Sequence, residues 1–223
     1  MNEEALGWAG RLMLWLDFAV NLVLINLLFV TGVLAGGIVP GLFPSAVAAS
    51  TMLARLRTGT LGEHPVRDFI TAYRSQFLHA NKVGSIFWVA AAVLVLNGLS
   101  LVSPASLHAA ALDPTAPTAA SSPVRAVLLV LSGVAGAATL AAAGTAVDVC
   151  TRYRDTVFRT WRLAFMLPLA SPLLGLSLIA SYVGMATVFA GINVLIPLIG
   201  ASLPLLLSGW LVGRHLSALE PSY

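Results

Sequence analysis

One cysteine in 223 residues, Cys150, excludes an internal disulfide. The four histidines, His64, His79, His108 and His215, are scattered over different segments, and a metal cluster needs several gathered ligands. Charge is equally scarce. Only 9% of residues are Asp, Glu, Lys or Arg, where a soluble domain of this length carries about a quarter. There is no Gly-rich phosphate loop with a lysine, no His–Glu metal helix and no assembled Ser–His–Asp set. The expectation is therefore no catalysis, no cofactor and no resident metal. Lysine is nearly absent too: Lys82 stands beside eleven arginines, and with the abundant alanine this points to a GC-rich bacterial source.

What fills the chain instead is apolar. Hydrophobic residues make up 58% of the sequence, and the mean hydropathy is +0.91. Such a chain cannot cover its own surface with polar groups, so a bilayer must cover it. The net charge of +3 is explained by membrane topology rather than by nucleic acid.

A hydrocarbon core of about 30 Å needs about 20 apolar residues at ~1.5 Å each. Runs of this kind lie at 13–36, 84–102, 125–148, 165–188 and 191–212, with a weaker one at 38–56 that carries Pro40 and Pro44. The sequence thus reads as one all-α integral membrane domain over 1–223, with about six transmembrane helices and a five-span alternative. In the six-span layout Pro44 suits the start of span two. Both termini lie in the cytoplasm, the segments 57–83 and 149–164 lie inside, and the Ala/Pro/Ser/Thr-rich 103–124 is a tether outside. Eleven of the twelve basic residues then fall inside and only Arg125 outside, as expected for cytoplasmic loops. Five spans move the N-terminus and Arg11 outside. Trp8, Trp15, Trp88, Trp161 and Trp210 gather near the inner interface in the six-span layout. The Met-Asn-Glu-Glu start is acidic where a signal peptide is basic, so the first run reads as a retained anchor. The expected location is the bacterial cytoplasmic (inner) membrane.

Two inner segments share a pattern. Phe69, Ile70, Tyr73, Arg74 and Phe77 recur as Val157, Phe158, Trp161, Arg162 and Phe165 after a shift of 88 residues. This is a weak internal repeat. Apolar residues at these positions cover one narrow helical stripe, predicting amphipathic helices over about 65–83 and 150–164, with Pro65 starting the first. Lying along the inner leaflet, aromatic side down, they serve either as elbows that orient the following span or as a docking surface. The candidate interface residues are Phe69, Tyr73, Arg74, Phe77, Phe158, Trp161, Arg162 and Phe165. Polar groups inside the apolar runs are few, the main candidates being Asp17, Asn21, Asn26 and Asp148, with Asn97 and Asn193 in addition. Asp17 and Asn21 share a helix face; Asp148 precedes Arg152 by one turn, in the order that favours an ion pair. Gly32 and Gly36 permit close helix approach.

Asn26-Leu27-Leu28-Phe29, then Gly41-Leu42-Phe43-Pro44-Ser45 with Ala48, then Asp68-Phe69 to Phe77 with Tyr73-Arg74, resemble the YesL-like family of bacterial membrane proteins. The resemblance covers Asn26 to about Asn97. Members usually read Pro-Ala-Thr where this chain has Pro44-Ser45-Ala46. The resemblance implies an accessory role beside permease or ATPase subunits of an ABC-type carbohydrate importer, and it supplies no catalytic or ligand residues. The chain lacks the Glu-Ala-Ala…Gly loop by which importer permeases engage their ATPase, so it does not resemble the permease itself. Two function classes stand: an accessory or interaction protein, and a small autonomous oligomeric transporter or channel whose helices break at Pro168, Pro172, Pro197 or Pro204. The partners implied are the lipid bilayer, importer subunits and a second copy of the chain.

Overall fold

The computed structural model describes residues 8–102, 123–152, 156–170, 172–191, 202 and 204–210. Among them are six long helices and no strand: α1 (Trp8–Ala35), α2 (Val39–Arg57), α3 (Pro65–Val102), α4 (Pro123–Arg152), α5 (Val157–Ala170) and α6 (Pro172–Gly191). Three contain stretches long and apolar enough to cross a membrane: Gly10–Ala35, Pro65–Ser100 and Ala126–Thr151. Residues 103–122 of the expected tether, the larger part of the 191–212 run, Arg154, Arg214, Asn193 and Pro197 lie outside the described residues, as do the side chains of Arg125 and Arg152, while α4 takes in 123 and 124.

The turns follow from local chemistry. Gly37 has φ +83°, and Ile38 N–H donates to Val33 O at 2.9 Å while Gly37 N–H donates to Leu34 O at 3.2 Å. This paired closure is a Schellman cap, and glycine takes the left-handed position without a Cβ penalty. The cap recurs after α2: Gly59 has φ +66°, and Thr60 N–H donates to Arg55 O at 2.9 Å. Ile38 also has a positive φ, of 55°, a costly conformation for a β-branched residue. Proline placement differs from the sequence reading. Pro40 opens α2, and Pro44 sits inside the helix, where its missing N–H leaves one backbone carbonyl without its helical donor. Pro65 does begin α3.

Helix α2 is the centre of the molecule. Phe43 to Ser50 are buried without a gap, because α2 touches α1, α3 and α4. A helix buried all round lies inside protein rather than facing solvent or lipid on one side. One cluster joins Phe43, Ala46 and Val47 to Ala80, Val83 and Phe87 of α3 and to Ala142, Ala146 and Cys150 of α4. A second joins Ala49, Met52 and Leu53 to Leu22 and Ile25 of α1 and Phe69 of α3. Gly84 lies directly under the Phe43 ring. The outer surface is apolar: Leu12, Met13, Trp15 and Val20 of α1, Val93, Leu96 and Leu99 of α3, and Val127, Val130 and Val134 of α4 are exposed. Those are the faces a bilayer would cover.

Two expectations are corrected here. The first amphipathic segment is not a separate helix on the leaflet; it is the N-terminal half of α3, which runs unbroken for 38 residues. At ~1.5 Å per residue α3 is about 57 Å long, nearly twice the hydrocarbon thickness. No proline inside it interrupts it, so the helix continues where its hydropathy changes. The second amphipathic segment is also not one helix over 150–164. α4 continues to Arg152 and α5 begins at Val157. The run expected at 165–188 falls on α5 and α6, which end at Ala170 and begin at Pro172, and residue 171 between them lies outside the described residues. Proline at the first position of a helix is pre-organised for that start.

Candidate functional site

The aromatic stripe of α3 faces protein. Phe69 is 3% exposed and packs among Leu22, Ile25, Met52 and Leu53. Tyr73 stacks on Phe69 at 6.2 Å and meets Phe77 at 5.5 Å between ring centroids. Its hydroxyl donates to Gly32 O in α1 at 3.1 Å, and the same oxygen lies against Gly36. Gly32 in turn faces Ser45 and Phe69, and Gly36 faces Gly41. The small-residue run thus explains itself as the close packing of α1, α2 and the start of α3.

The repeat holds where its chemistry can be compared. Trp161 occupies the position equivalent to Tyr73, and its Nε1–H donates to Val83 O in α3 at 2.9 Å. Each aromatic therefore ties its helix to a backbone carbonyl of an earlier helix, a bond worth about 1 kcal/mol. Phe165 stacks on Phe87 at 5.8 Å, and Thr145 Oγ1 donates to Ala164 O at 2.9 Å. The two halves differ in what stays open. Phe158 is 75% exposed, Arg162 is exposed one turn on, and Arg74 is exposed on α3. Of the eight candidate interface residues, Phe69, Tyr73, Phe77, Trp161 and Phe165 take part in internal packing. Phe158, Arg162 and Arg74 face outward.

The intramembrane polar candidates divide in the same way. Asn21 Nδ2–H donates to Asp17 O at 2.9 Å and to Asp17 Oδ1 at 3.3 Å, on an exposed face. Asn26 is buried and accepts from the backbone N–H of Ser202 at 3.2 Å, which ties Ser202 to α1. Asn97 Nδ2–H donates to Ser132 Oγ at 3.4 Å, linking α3 to α4. These are helix-to-helix ties of the ordinary intramembrane kind.

Asp148 behaves differently. It is 2% exposed, at the end of α4, and it lines a cavity of about 230 Å³ with Thr51, Arg55 and Arg57 of α2, Thr151 of α4 and Gly209. A second cavity of about 360 Å³ shares Thr51, Arg55 and Thr151 and extends along α3 past Asp68 and Ser75 to Gln76. Arg55 Nη1 and Asp68 Oδ2 are 3.6 Å apart, with side chains 48% and 34% exposed. A pair this open and this long contributes less than about 1 kcal/mol, so it positions the arginine more than it stabilises the fold. The ends of α2, α3 and α4 thus converge on a polar cleft containing two arginines, two aspartates and several hydroxyls. Sequence reasoning named Asp148 and expected it to pair with Arg152, one turn on, whose side chain lies outside the described residues. The approach of α2 to α4 that gathers Arg55, Arg57 and Asp148 around one cavity is tertiary packing with no sequence signal. Among the described residues no group of His, Cys, Asp and Glu could hold a metal ion.

Comparison with known families gives one result. A family model described as a protein of unknown function, DUF624, matches residues 22–98. The match runs from Leu22 in α1 through all of α2 to Gly98 in α3. It covers the stretch from which the YesL-like resemblance was drawn, and it includes both α2-centred contacts of Phe43 and the Tyr73 anchor. No curated protein and no solved structure matches the chain.

Proposed function

We propose that the protein is an integral accessory protein of the bacterial inner membrane that docks a partner subunit through the outward face of α5. The observation that carries this reading is the contrast within α5. Trp161 is anchored to Val83 O, while Phe158 and Arg162 on the neighbouring face are exposed. An exposed phenyl ring followed one turn later by an arginine, on a helix held in place from behind, is a preformed anchor of the kind that dominates interface energetics. The partner class comes from the family resemblance: permease or ATPase subunits of an ABC-type carbohydrate importer.

The test is copurification in mild detergent. The double substitution Phe158→Ser with Arg162→Ser should leave the unfolding midpoint within about 2 °C, since both residues are exposed. It should remove the importer subunits from the purified material. If the unmodified chain comes out alone, and sugar uptake is unchanged when the protein is deleted, the reading fails.

A specific topology accompanies this proposal. Tyr73 touches Gly32 and Gly36 at the end of α1, and residues in contact cannot sit on opposite sides of a bilayer about 30 Å thick. The six-span layout separates them, placing 57–83 inside and the 36–38 turn outside. Moving the turn inside transfers one basic residue, Arg11, to the outside. Moving 57–83 outside would transfer Arg55, Arg57, Arg67, Arg74 and Lys82. The positive-inside rule selects the first. The resulting arrangement is the five-span alternative: α1 enters from outside, α2 has both ends on the inner side, and the arginine-bearing ends of α2 and α3 face the cytoplasm. The burial of Phe43 to Ser50 in the middle of α2 supports this reading, as does the absence of α2 from the helices apolar enough to span.

An autonomous transporter is the second reading, favoured by one observation. Pro172 stands at the start of α6 directly beyond α5, and helices interrupted at proline are a recurrent feature of transporter folds. Uptake of solute by liposomes containing only this protein would favour it over the docking role.

A further inference from the structure

The outward face of α3 carries an inference that rests on the membrane reading and not on the docking surface of α5. Arg67, Ile70, Arg74, Leu78 and Lys82 are all exposed, Leu78 at 75%. At ~100° per residue they fall within an arc of about 120° on the helix. Phe69, Ala80 and Val83 lie on the opposite side and are buried. The same arc continues into Val89, Leu96 and Leu99, which are exposed and apolar. Helix α3 thus presents one continuous face, apolar toward its C-terminal end and basic with interleaved apolar residues toward its N-terminal end. The one carboxylate of α3, Asp68, lies outside this arc and meets Arg55. Among the described residues no carboxylate pairs with Arg67, Arg74 or Lys82.

The apolar part sets the depth. From Lys82 to Val102 the helix rises about 30 Å, the thickness of a hydrocarbon core. Arg74 lies about two turns beyond Lys82, with Leu78 between them. The occupant of this face must meet unpaired cations and, without a break, the apolar surface that a bilayer covers. An anionic phospholipid does both in one molecule. The planar fork of arginine takes phosphate oxygens in pairs, and the long stem of lysine lies along apolar surface while its ammonium reaches the headgroup. Arg67, about 10 Å farther along the axis, adds its field within one Debye length. We infer that the outward face of α3 binds anionic phospholipid, with the headgroup between Arg74 and Lys82 and the acyl chains along Leu78 and Val89. The segment 57–83 lies on the inner side in both the five-span and the six-span layouts, so the lipid belongs to the inner leaflet.

The test uses the full chain in maltoside micelles and reads the unfolding midpoint against added phosphatidylglycerol or phosphatidylcholine with the same acyl chains. Each cation near an anionic surface favours it about fivefold. The anionic lipid should therefore half-saturate the shift at a concentration about tenfold lower or less than the zwitterionic one. Arg74→Gln and Lys82→Gln should each raise that concentration about fivefold, and Arg67→Gln should raise it less. The double variant of Arg74 and Lys82 should respond to both lipids alike, while Arg11→Gln, remote on α1, should keep the full preference. Salt at about 0.5 M should shrink the preference, and inorganic phosphate alone should give no saturable shift. All three cations of the face are exposed, so without added lipid the variants should unfold within about 2 °C of the unmodified chain. The assignment is overturned by equal responses of the unmodified chain to the two lipids, by a preference that survives in the double variant, or by a saturable response to phosphate alone. Loss of a copurifying protein in the double variant, with no lipid preference in the unmodified chain, would assign the face to a protein and overturn it as well.

Discussion

Replacing Gly41 by alanine should destabilise the protein by about 1–2 kcal/mol, although alanine is the better helix former by ~1 kcal/mol. Valine at the same position should cost ~3 kcal/mol or more. Gly41 lies in the first turn of α2, and a Cβ there would press on the Val33 carbonyl oxygen and come within 3.0 Å of Val33 C and Cα. Those are backbone atoms, held by the α1 helix and its Schellman cap, so no side-chain rotation relieves the contact. The helices must separate, which loosens Gly36 and with it the seat of the Tyr73 hydroxyl. Gly98 provides the contrast. A Cβ there meets nothing within 4 Å, and Gly98 is interior to α3, so Gly98→Ala should gain up to ~1 kcal/mol from propensity alone. Denaturant titration of both variants in the same detergent reads the two signs directly. A neutral Gly41→Ala would mean that α1 and α2 do not pack as closely as described.

Phe43→Ala should be the most damaging large-to-small change, at about 2–4 kcal/mol. In a soluble core such a truncation costs ~3–5 kcal/mol. In a bilayer the transfer part is smaller, because lipid is as apolar as a protein interior. The cavity and the ring contacts remain. Phe43 is 6% exposed, stacks on Phe87 at 5.7 Å and meets Trp88 edge-on at 6.4 Å. Each pair is worth about 0.5–1.5 kcal/mol. Gly84 beneath the ring cannot move to fill the space, having no side chain to rotate. A double-mutant cycle with Phe87→Ala should show a coupling of about 1 kcal/mol. Leu96→Ala, on the exposed face of α3, should cost far less in the same assay.

The helical, membrane-seeking character of the chain was legible because it depends on local quantities: hydropathy, charge scarcity and helix-starting Pro65. The repeat was legible for the same reason, and Tyr73 and Trp161 do share a role, each donating to a backbone carbonyl of an earlier helix. What that role implied was not legible. The stripe Phe69–Tyr73–Phe77 has the same periodicity whether it faces lipid, a partner or α1 and α2. Only the tertiary packing that buries Phe69 decides. Hydropathy also suggested a boundary near residue 84 that α3 ignores, since a backbone without proline or cap has no reason to bend where its side chains change polarity. Pro44 read as a helix start because proline favours that position, yet Pro40 had already taken it. The cleft was half legible. Asp148 was visible as a costly charge, but its neighbours Arg55 and Arg57 lie about ninety residues away in sequence.

The proposed topology rests on the contact of Tyr73 with the end of α1, which puts the α1–α2 turn on the same side of the membrane as the start of α3. Cys150 is the lone cysteine, so Cys150→Ser gives a background into which single cysteines can be placed at Arg11, Ile38 and Arg74, all exposed. A membrane-impermeant maleimide applied to intact spheroplasts should label the cysteine at position 11. It should reach those at 38 and 74 only after the membrane is opened. Labelling of position 38 from outside, with 11 and 74 protected, would restore the six-span layout and contradict the packing of Tyr73 against Gly32.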